Sequence, residues 1–239
     1  MQIGECRERW TIKLRHLPDQ VRGQPLAYFL HLGKSGGTAL KASLAPSTDT
    51  GRYQIVLLPH AVRLADLERS AHYFFCVRDP VDRFVSGFLS RQRQGRPRYF
   101  VPWTRDEALA FSRFDSPDAL GSALAGTLEQ RAPAGEAMRS IAHVNRSYWY
   151  WFKDEAHLRR RAERLLWIGH QETLSTDIAA LADALAVGPL TLPTDVKAAH
   201  IGSSEGRGLS EGARANLTQW YAADYRFLEV CADLRPARR

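Results

Sequence analysis

A lysine, a serine and three glycines stand together after an apolar run near residue 30, in the order Gly33-Lys34-Ser35-Gly36-Gly37. Glycines at a strand-to-helix turn let backbone N–H groups surround a phosphate, and Lys34 would add a positive charge. The segment is not a nucleoside-triphosphate P-loop, because the first glycine of GxxxxGK[ST] would fall on Tyr28. We therefore predict a shorter phosphate-binding loop. The alternative is a tight turn with an exposed lysine.

A second candidate phosphate site follows the apolar run 72–77 and reads Arg78-Asp79-Pro80-Val81-Asp82-Arg83-Phe84-Val85-Ser86-Gly87-Phe88. The Arg78 guanidinium at the end of a strand and the Ser86 hydroxyl two helical turns later could bind one phosphate. An ion pair of Arg78 with Asp79 or Asp82 is the alternative for this segment.

Taken together, the two segments resemble the phosphate motifs of sulfotransferases that use 3′-phosphoadenosine 5′-phosphosulfate (PAPS). In the most similar branch the motifs read approximately HIPKTGGT and RDPxxRxxSxF/Y. The resemblance implies that five residues bind the 5′-phosphosulfate: Lys34, Ser35, Gly36, Gly37 and Thr38. It assigns Arg78 and Ser86 to the 3′-phosphate. This chain departs from the family at Gly33, where proline is usual, and at Ser35, where threonine is usual.

The resemblance covers residues 26–230, although only the two motifs are diagnostic of the family. Weaker family-like features stand at 168–172 and 221–225. Sulfuryl transfer from PAPS requires no metal, so no metal is expected, and PAP is the expected product. The chain also lacks a carboxylate pattern typical of the Walker-B magnesium site, which makes a nucleotide kinase the less favoured enzyme.

Transfer to a hydroxyl requires a base, because a neutral hydroxyl is a poor nucleophile. His60 directly follows the second strand-like run, at the sheet edge expected for Lys34 and Arg78. Histidine bases can lie between the two motifs in related glycan sulfotransferases, and His60 best resembles that position. His31, His143 and a Glu or Asp of the helical excursion after the third strand are the alternatives for the base. Lys34 would stabilise the charge that develops on the leaving phosphate.

Apolar runs at 26–32, 53–58 and 72–77 are rich in strand-forming residues and alternate with helix-like stretches at 38–44, 62–69 and 79–90. Such alternation predicts an α/β fold: a P-loop-like parallel sheet flanked by helices, with ligands outside the carboxyl ends of the strands. We expect one domain over 1–239, with its core at about 26–230.

After the third strand we expect a helical excursion over 103–163, with Ser116-Pro117 and Pro133-Ala134-Gly135 as breaks. A strand at 165–168 and helices at 172–185 and 210–230 would follow. Residues 188–208 are predicted as a long loop that could close over the nucleotide through Lys197, His200, Ser203, Ser204 and Arg207. The aromatic run 148–152 is either core packing or a stacking platform.

The composition is that of a globular protein, with 44% hydrophobic and 25% charged residues and a formal charge of +7. This charge suits an anionic ligand, and arginines cluster at 91–98 and 159–164; the second cluster is expected to cover the outer face of a helix. Three scattered cysteines exclude a disulfide scaffold and indicate a reducing compartment. With neither a membrane-span pattern nor a signal-peptide pattern, a cytoplasmic location is predicted.

These observations predict a cytoplasmic PAPS-dependent sulfotransferase that acts on a hydroxyl of a carbohydrate or glycoconjugate. A P-loop kinase of a small molecule is the alternative enzyme. A non-catalytic protein that binds polyanions through its basic face is the alternative from another class. We expect no specific nucleic-acid partner, and the oligomeric state is not readable from the sequence.

Overall fold

The computed structural model describes residues 25–48, 52–194 and 208–234. Its fold is α/β, as predicted, with four parallel strands flanked by helices in an arrangement compatible with a P-loop-like fold. The strands are β1 (Leu26–Leu30), β2 (Gln54–Leu57), β3 (His72–Val77) and β4 (Leu165–His170). Their order across the sheet is β2-β1-β3-β4.

The helices within the described ranges, in chain order, are α1 (Gly37–Leu44), α2 (Pro80–Gln92), α3 (Arg105–Arg113), α4 (Pro117–Ala123), α5 (Leu128–Ser140), α6 (Trp149–Phe152), α7 (Glu155–Arg160), α8 (Leu174–Leu185), α9 (Glu211–Trp220) and α10 (Ala222–Leu234). None of them is long and apolar enough to cross a bilayer.

The described residues form two compact units. The first comprises 25–48, 52–77, 148–194 and 227–234 and contains the whole sheet. The second comprises 78–147 and 208–226 and contains α2 to α5 and α9. The expectation of a single domain over 1–239 stays a prediction.

In the first unit, apolar residues cover both faces of the sheet, as the near-continuous apolar runs predicted. Tyr28 of β1 and Phe75 of β3 pack on one face, together with aromatic rings of α6 and α10. Phe29 and Phe74 pack on the other face, with leucines of α1 and α8. Since successive residues of a strand point to opposite faces, each strand contributes to both cores.

The order of the strands places a topological switch point between β1 and β3. From β1 the chain continues to β2 on one side, and β3 then pairs with the other side of β1. Both pairings are parallel, so the carboxyl ends of β1 and β3 are neighbours at one edge of the sheet. Ligands of open parallel sheets bind outside the strand ends at such a point.

Two helix predictions need correction. Residues 62–69 form only a single 3-10 turn at Leu64–Asp66, because Arg63 N–H donates to the Asp66 carboxylate and Leu67 is already extended. The single helix expected over 210–230 is two helices, α9 and α10, separated at Tyr221. The phenol of Tyr221 is buried and donates to the carbonyl of Val144.

The helices of the predicted excursion are confirmed, and one of its two predicted breaks is wrong. Ser116 caps α4 and Pro117 occupies its first turn, where the missing N–H of proline costs nothing. Pro133, predicted to interrupt a helix, instead lies inside α5. The carbonyl that loses its helical partner is that of Glu129, which is exposed and so can bond to water.

Candidate functional site

The predicted strand, loop and helix around Lys34 are present in the first unit. After β1, residues 33–36 form consecutive turns, with Lys34 at φ 68° and Gly36 at φ 79°, and α1 begins at Gly37. The positive φ of Lys34 is strained, since only glycine adopts such a backbone freely. The turn is therefore a shaped loop, and Lys34 is half-buried within it.

The start of α1 has the features of an anion site. Gly36 precedes the helix and offers no side chain to accept hydrogen bonds from the first turn. The first helical backbone bond runs from Leu40 N–H to the Gly36 carbonyl, so the N–H groups of residues 37–39 precede the helical ladder. Such N–H groups carry a partial positive charge and bind anions.

Gly37 is required by a close approach of His31. A Cβ atom at residue 37 would lie 2.1 Å from Cδ2 and 2.3 Å from Nε2 of the imidazole. His31 is 7% exposed, and its ring stacks on Phe29 with centroids 5.7 Å apart. Any larger residue at position 37 would displace this ring, so Gly37 serves packing.

His60, the predicted base, lies beside the same imidazole. The centroids of the His31 and His60 rings are 3.7 Å apart. Nδ1 of His60 lies 3.1 Å from the carbonyl oxygen of His31. Because a carbonyl can only accept, Nδ1 carries a proton, and in the neutral form of the ring Nε2 carries the lone pair. In that form His60 has the tautomer of a base that acts through Nε2.

Hydrogen bonds to the backbone of His60 and of Leu58 fix the position of His60. The indole N–H of Trp151 donates to the His60 carbonyl at 2.8 Å. Two residues earlier, Leu58 N–H donates to Phe29, and the Lys41 ammonium of α1 donates to the Leu58 carbonyl at 2.6 Å. Burial lowers the pKa of Lys41. Lys41 belongs to no motif, and the aromatic run that contains Trp151 does not indicate a contact with His60, so neither contact is marked in the sequence.

The aromatic run 148–152 is mainly core. Tyr148, Trp151 and Phe152 are buried, so these three rings cannot form a stacking surface. The Tyr148 hydroxyl lies 3.4 Å from that of Ser35, whose side chain is 1% exposed. The side chain of Ser35 therefore faces the aromatic core beneath the loop.

The end of β4 also contacts the loop. A Cβ atom at Gly36 would meet Gln171 Cγ and Leu174 Cδ2, each at 3.3 Å. Gln171 belongs to the weakly family-like segment 168–172, and this contact gives that segment a structural role beside the loop.

In the second unit, Asp79 and Arg83 of the second motif are bound to residues far away in sequence. Asp79 Oδ1 accepts from the N–H groups of Val81 and Asp82, which caps α2. Its Oδ2 accepts from the Tyr225 hydroxyl at 2.8 Å. Burial and this hydrogen bond raise the pKa of Tyr225 to about 12.

Arg83 is fully buried and forms an ion pair with Asp224 at 3.3 Å. Its guanidinium also donates to the Arg146 carbonyl at 2.6 Å. Asp224 accepts a further hydrogen bond from Ser147. The segment 221–225, noted only as weakly family-like, therefore holds both Asp79 and Arg83.

The residues assigned to the 3′-phosphate are half-buried. Arg78 directly follows Val77, the last residue of β3, and Ser86 lies in the second turn of α2. The rival histidine His143 belongs to the same unit, has φ 70°, and would contact a Cβ atom at Gly87 at 3.3 Å. His31, the other rival, is the buried ring between Gly37 and His60.

Each arginine cluster contains one structural member. Arg91 is buried and forms two 2.7 Å hydrogen bonds with Glu107, while Arg93, Arg96 and Arg98 are exposed. In the second cluster, Arg161 is buried, contrary to the expectation of an outer helix face. Its guanidinium donates to three backbone carbonyls, those of Leu64, Glu68 and Ala71.

The predicted lid residues Lys197, His200, Ser203, Ser204 and Arg207 lie outside the described residues. Within the described ranges, no group of three or more histidine, cysteine or acidic side chains is arranged to hold a metal ion.

Comparison of the whole chain with models of known protein families gave no match. A comparison with curated protein sequences gave no match either.

Proposed function

We propose that this protein is a PAPS-dependent sulfotransferase that transfers a sulfuryl group to a hydroxyl, on a carbohydrate or glycoconjugate. One observation carries the proposal: a single imidazole, that of His31, contacts both the start of α1 and His60. A helix start suited to an anion and a histidine suited to act as a base therefore both contact the same imidazole ring.

In the proposed reaction the acceptor hydroxyl gives its proton to Nε2 of His60 as its oxygen attacks sulfur. An S–O bond forms to the acceptor, and the S–O bond to the 5′-phosphate breaks. The electron pair of the broken bond stays on that phosphate, which leaves as part of PAP. Lys34 and the N–H groups of residues 37–39 would stabilise this growing charge.

We assign the 3′-phosphate to Arg78 and Ser86. The distribution of contacts within their motif supports this assignment. Asp79 caps α2 and binds Tyr225, and Arg83 pairs with Asp224, so these two residues build the motif. Arg78 and Ser86 supply the guanidinium and hydroxyl suited to a phosphate.

Two further parts of the proposal have separate support. The resemblance of the two motifs to glycan sulfotransferases favours a carbohydrate acceptor. The thiols of Cys76 and Cys231 are both buried and belong to no disulfide within the described residues, which agrees with a cytoplasmic location. Cys6 lies outside the described residues.

The first experiment compares thermal shifts with PAP, ATP and GTP, each with and without Mg²⁺. A nucleotide that binds only the folded protein raises its melting temperature. We expect a saturable shift with PAP that does not need Mg²⁺. A Mg²⁺-dependent shift with ATP or GTP, and none with PAP, would contradict the proposal and favour a kinase.

The second experiment measures sulfuryl transfer by variants of Lys34 and His60. Lys34→Ala should abolish both the PAP shift and transfer. Lys153→Ala is the matched control, because Lys153 is exposed and has a similar positive φ, 72° against 68°. Equal losses in both variants would mean that backbone strain, rather than the ammonium group, is responsible.

For His60→Gln we expect kcat to fall by about 10²- to 10⁴-fold, the usual contribution of a general base, with PAP binding retained. The rate of the variant should also lose the pH dependence that a titrating base gives to kcat. An unchanged pH–rate profile would assign the base to another residue.

A further inference from the structure

An exposed loop after α2 combines arginines with apolar side chains. Between Asp82 and Asp106 the sequence has six arginines and no acidic residue. Three of these arginines are exposed in the loop: Arg93, Arg96 and Arg98. Tyr99, Phe100 and Val101 follow them and are 52%, 54% and 50% exposed. We propose that this loop, residues 93–101, docks the protein on an anionic membrane surface.

The loop has a defined conformation, so its exposed side chains are presented together. Gln94 and Gly95 are both left-handed, with φ 54° and 85°. The N–H of Val101 donates to the Gln94 carbonyl at 2.8 Å and closes the loop. A Cβ atom at Gly95 would lie 2.9 Å from Cδ2 of Tyr99, so the Tyr99 ring packs directly on the glycine.

Arg91 holds the base of the loop. Its buried guanidinium pairs with Glu107 and donates to the carbonyls of Val101 and Pro102, each at 3.2 Å. The indole N–H of Trp103 donates back to the Arg91 carbonyl at 2.7 Å. The fixed base means that exposure of the loop tip is a property of the fold.

The chemistry of the tip fits the boundary between lipid headgroups and acyl chains. The guanidinium of Arg96 lies 4.8 Å from the centroid of the Phe100 ring, and that of Arg98 lies 5.9 Å from that of Tyr99. Each pair joins a charge suited to a lipid phosphate to a ring suited to the membrane interface. The parts of an interfacial anchor are therefore neighbours.

Val101 favours a membrane over a nucleic acid as the partner. Bases stack on aromatic rings and arginine, but an aliphatic side chain has no stacking face. An exposed valine beside two exposed rings gains more from contact with hydrocarbon. An anionic lipid surface provides both hydrocarbon and phosphate.

The test is co-sedimentation with vesicles of phosphatidylcholine alone or with 30% phosphatidylglycerol, with mixed-sequence single-stranded RNA as a competitor. Each basic residue near an anionic surface changes the membrane partition coefficient by about fivefold, and three together by about 100-fold. We expect binding only to the anionic vesicles. The triple variant Arg93→Gln/Arg96→Gln/Arg98→Gln should lose it by about that factor.

The matched charge control is Arg159→Gln/Arg160→Gln/Arg164→Gln, which removes three exposed arginines elsewhere in the chain. It should retain most of the binding. Equal losses in the two triple variants would mean attraction by net charge alone and would overturn the proposal.

The apolar contribution is tested at unchanged charge by Phe100→Ser/Val101→Ser. Its control is Leu128→Ser/Trp220→Ser, which alters other exposed apolar residues of the same unit. We expect the loop variant to lose vesicle binding at least tenfold and the control to keep it, with all variants unfolding at the wild-type temperature. Unchanged vesicle binding by the loop variant, or RNA binding tighter than vesicle binding, would refute membrane docking.

Discussion

Replacing Gly37 with alanine tests the closest packing of the candidate site. The new methyl carbon would lie 2.1 Å from Cδ2 of His31, whereas ordinary contacts begin near 3.4 Å, so the ring must retreat by about 1.3 Å. The Phe29 ring stacks on the His31 ring with centroids 5.7 Å apart, and the tilted His60 ring lies against it with centroids 3.7 Å apart. The ring cannot retreat without disturbing one of these contacts.

The expected cost follows from two opposing effects. Overpacking of this kind lowers the free energy of unfolding by about 1–3 kcal/mol, and replacing a helical glycine with alanine raises it by at most about 1 kcal/mol. We therefore expect Gly37→Ala to lower the free energy of unfolding by about 1–2 kcal/mol. Gly212→Ala is the control, since nothing lies within 4 Å of a Cβ atom there, and it should be neutral or stabilising.

Urea unfolding followed by tryptophan fluorescence measures both variants, and a double-mutant cycle identifies the cause. With the imidazole removed by His31→Ala, adding Gly37→Ala should cost nothing, because its methyl group no longer meets a ring. The same loss in both backgrounds would refute the packing argument, and so would a Gly37→Ala variant as stable as the wild type.

Two further predictions concern the buried network of the second unit. Asp224→Asn leaves the Arg83 charge buried without its ion-pair partner and should lower the free energy of urea unfolding by about 3–5 kcal/mol. The control Asp82→Asn breaks an exposed ion pair and should lower it by less than about 1 kcal/mol. Equal losses in the two variants would contradict a structural role for the buried Arg83–Asp224 pair. Tyr225→Phe should be less stable than wild type at pH 8, and this difference should shrink between pH 10 and 12. Burial and the hydrogen bond to Asp79 raise the folded-state pKa to about 12 from the ordinary 10.0, so ionisation of the unfolded chain removes the stabilisation as pH rises. A difference that stays constant with pH would contradict the raised pKa of Tyr225.

Local sequence signals were sufficient to predict the sheet. The runs near 26–32 and 72–77 are apolar except at His31 and His72, which is typical of strands covered on both faces, and the pairing of β1 with β3 confirms that interpretation. Pro133 was misread because a proline signals a break only where the lost hydrogen bond cannot be replaced. At Glu129 water can replace it, and sequence alone does not reveal that exposure.

Parts of the candidate site could be predicted because they lie in short segments. The turn around Lys34 follows from its glycines, and the proximity of His60 follows from the parallel arrangement of β1 and β2. The contacts of Lys41 and Trp151 with the segment around His60 could not be predicted. They depend on packing between residues distant in sequence, and neither side chain has a local pattern that marks its partner.

In the second motif, some residues stabilise the fold and others are proposed to contact a ligand. Arg78 and Arg83 are both arginines near the start of α2, and the family resemblance assigns only Arg78 to a phosphate. Burial separates them, because a fully buried guanidinium requires an acid, and Arg83 has that acid in Asp224. A charge that compensates a buried partner contributes little attraction to a further anion. The proposal therefore keeps Arg78, and not Arg83, as the phosphate contact. Changes at Asp224 or Tyr225 should affect this contact through the start of α2, although both residues are more than 140 positions away in the sequence.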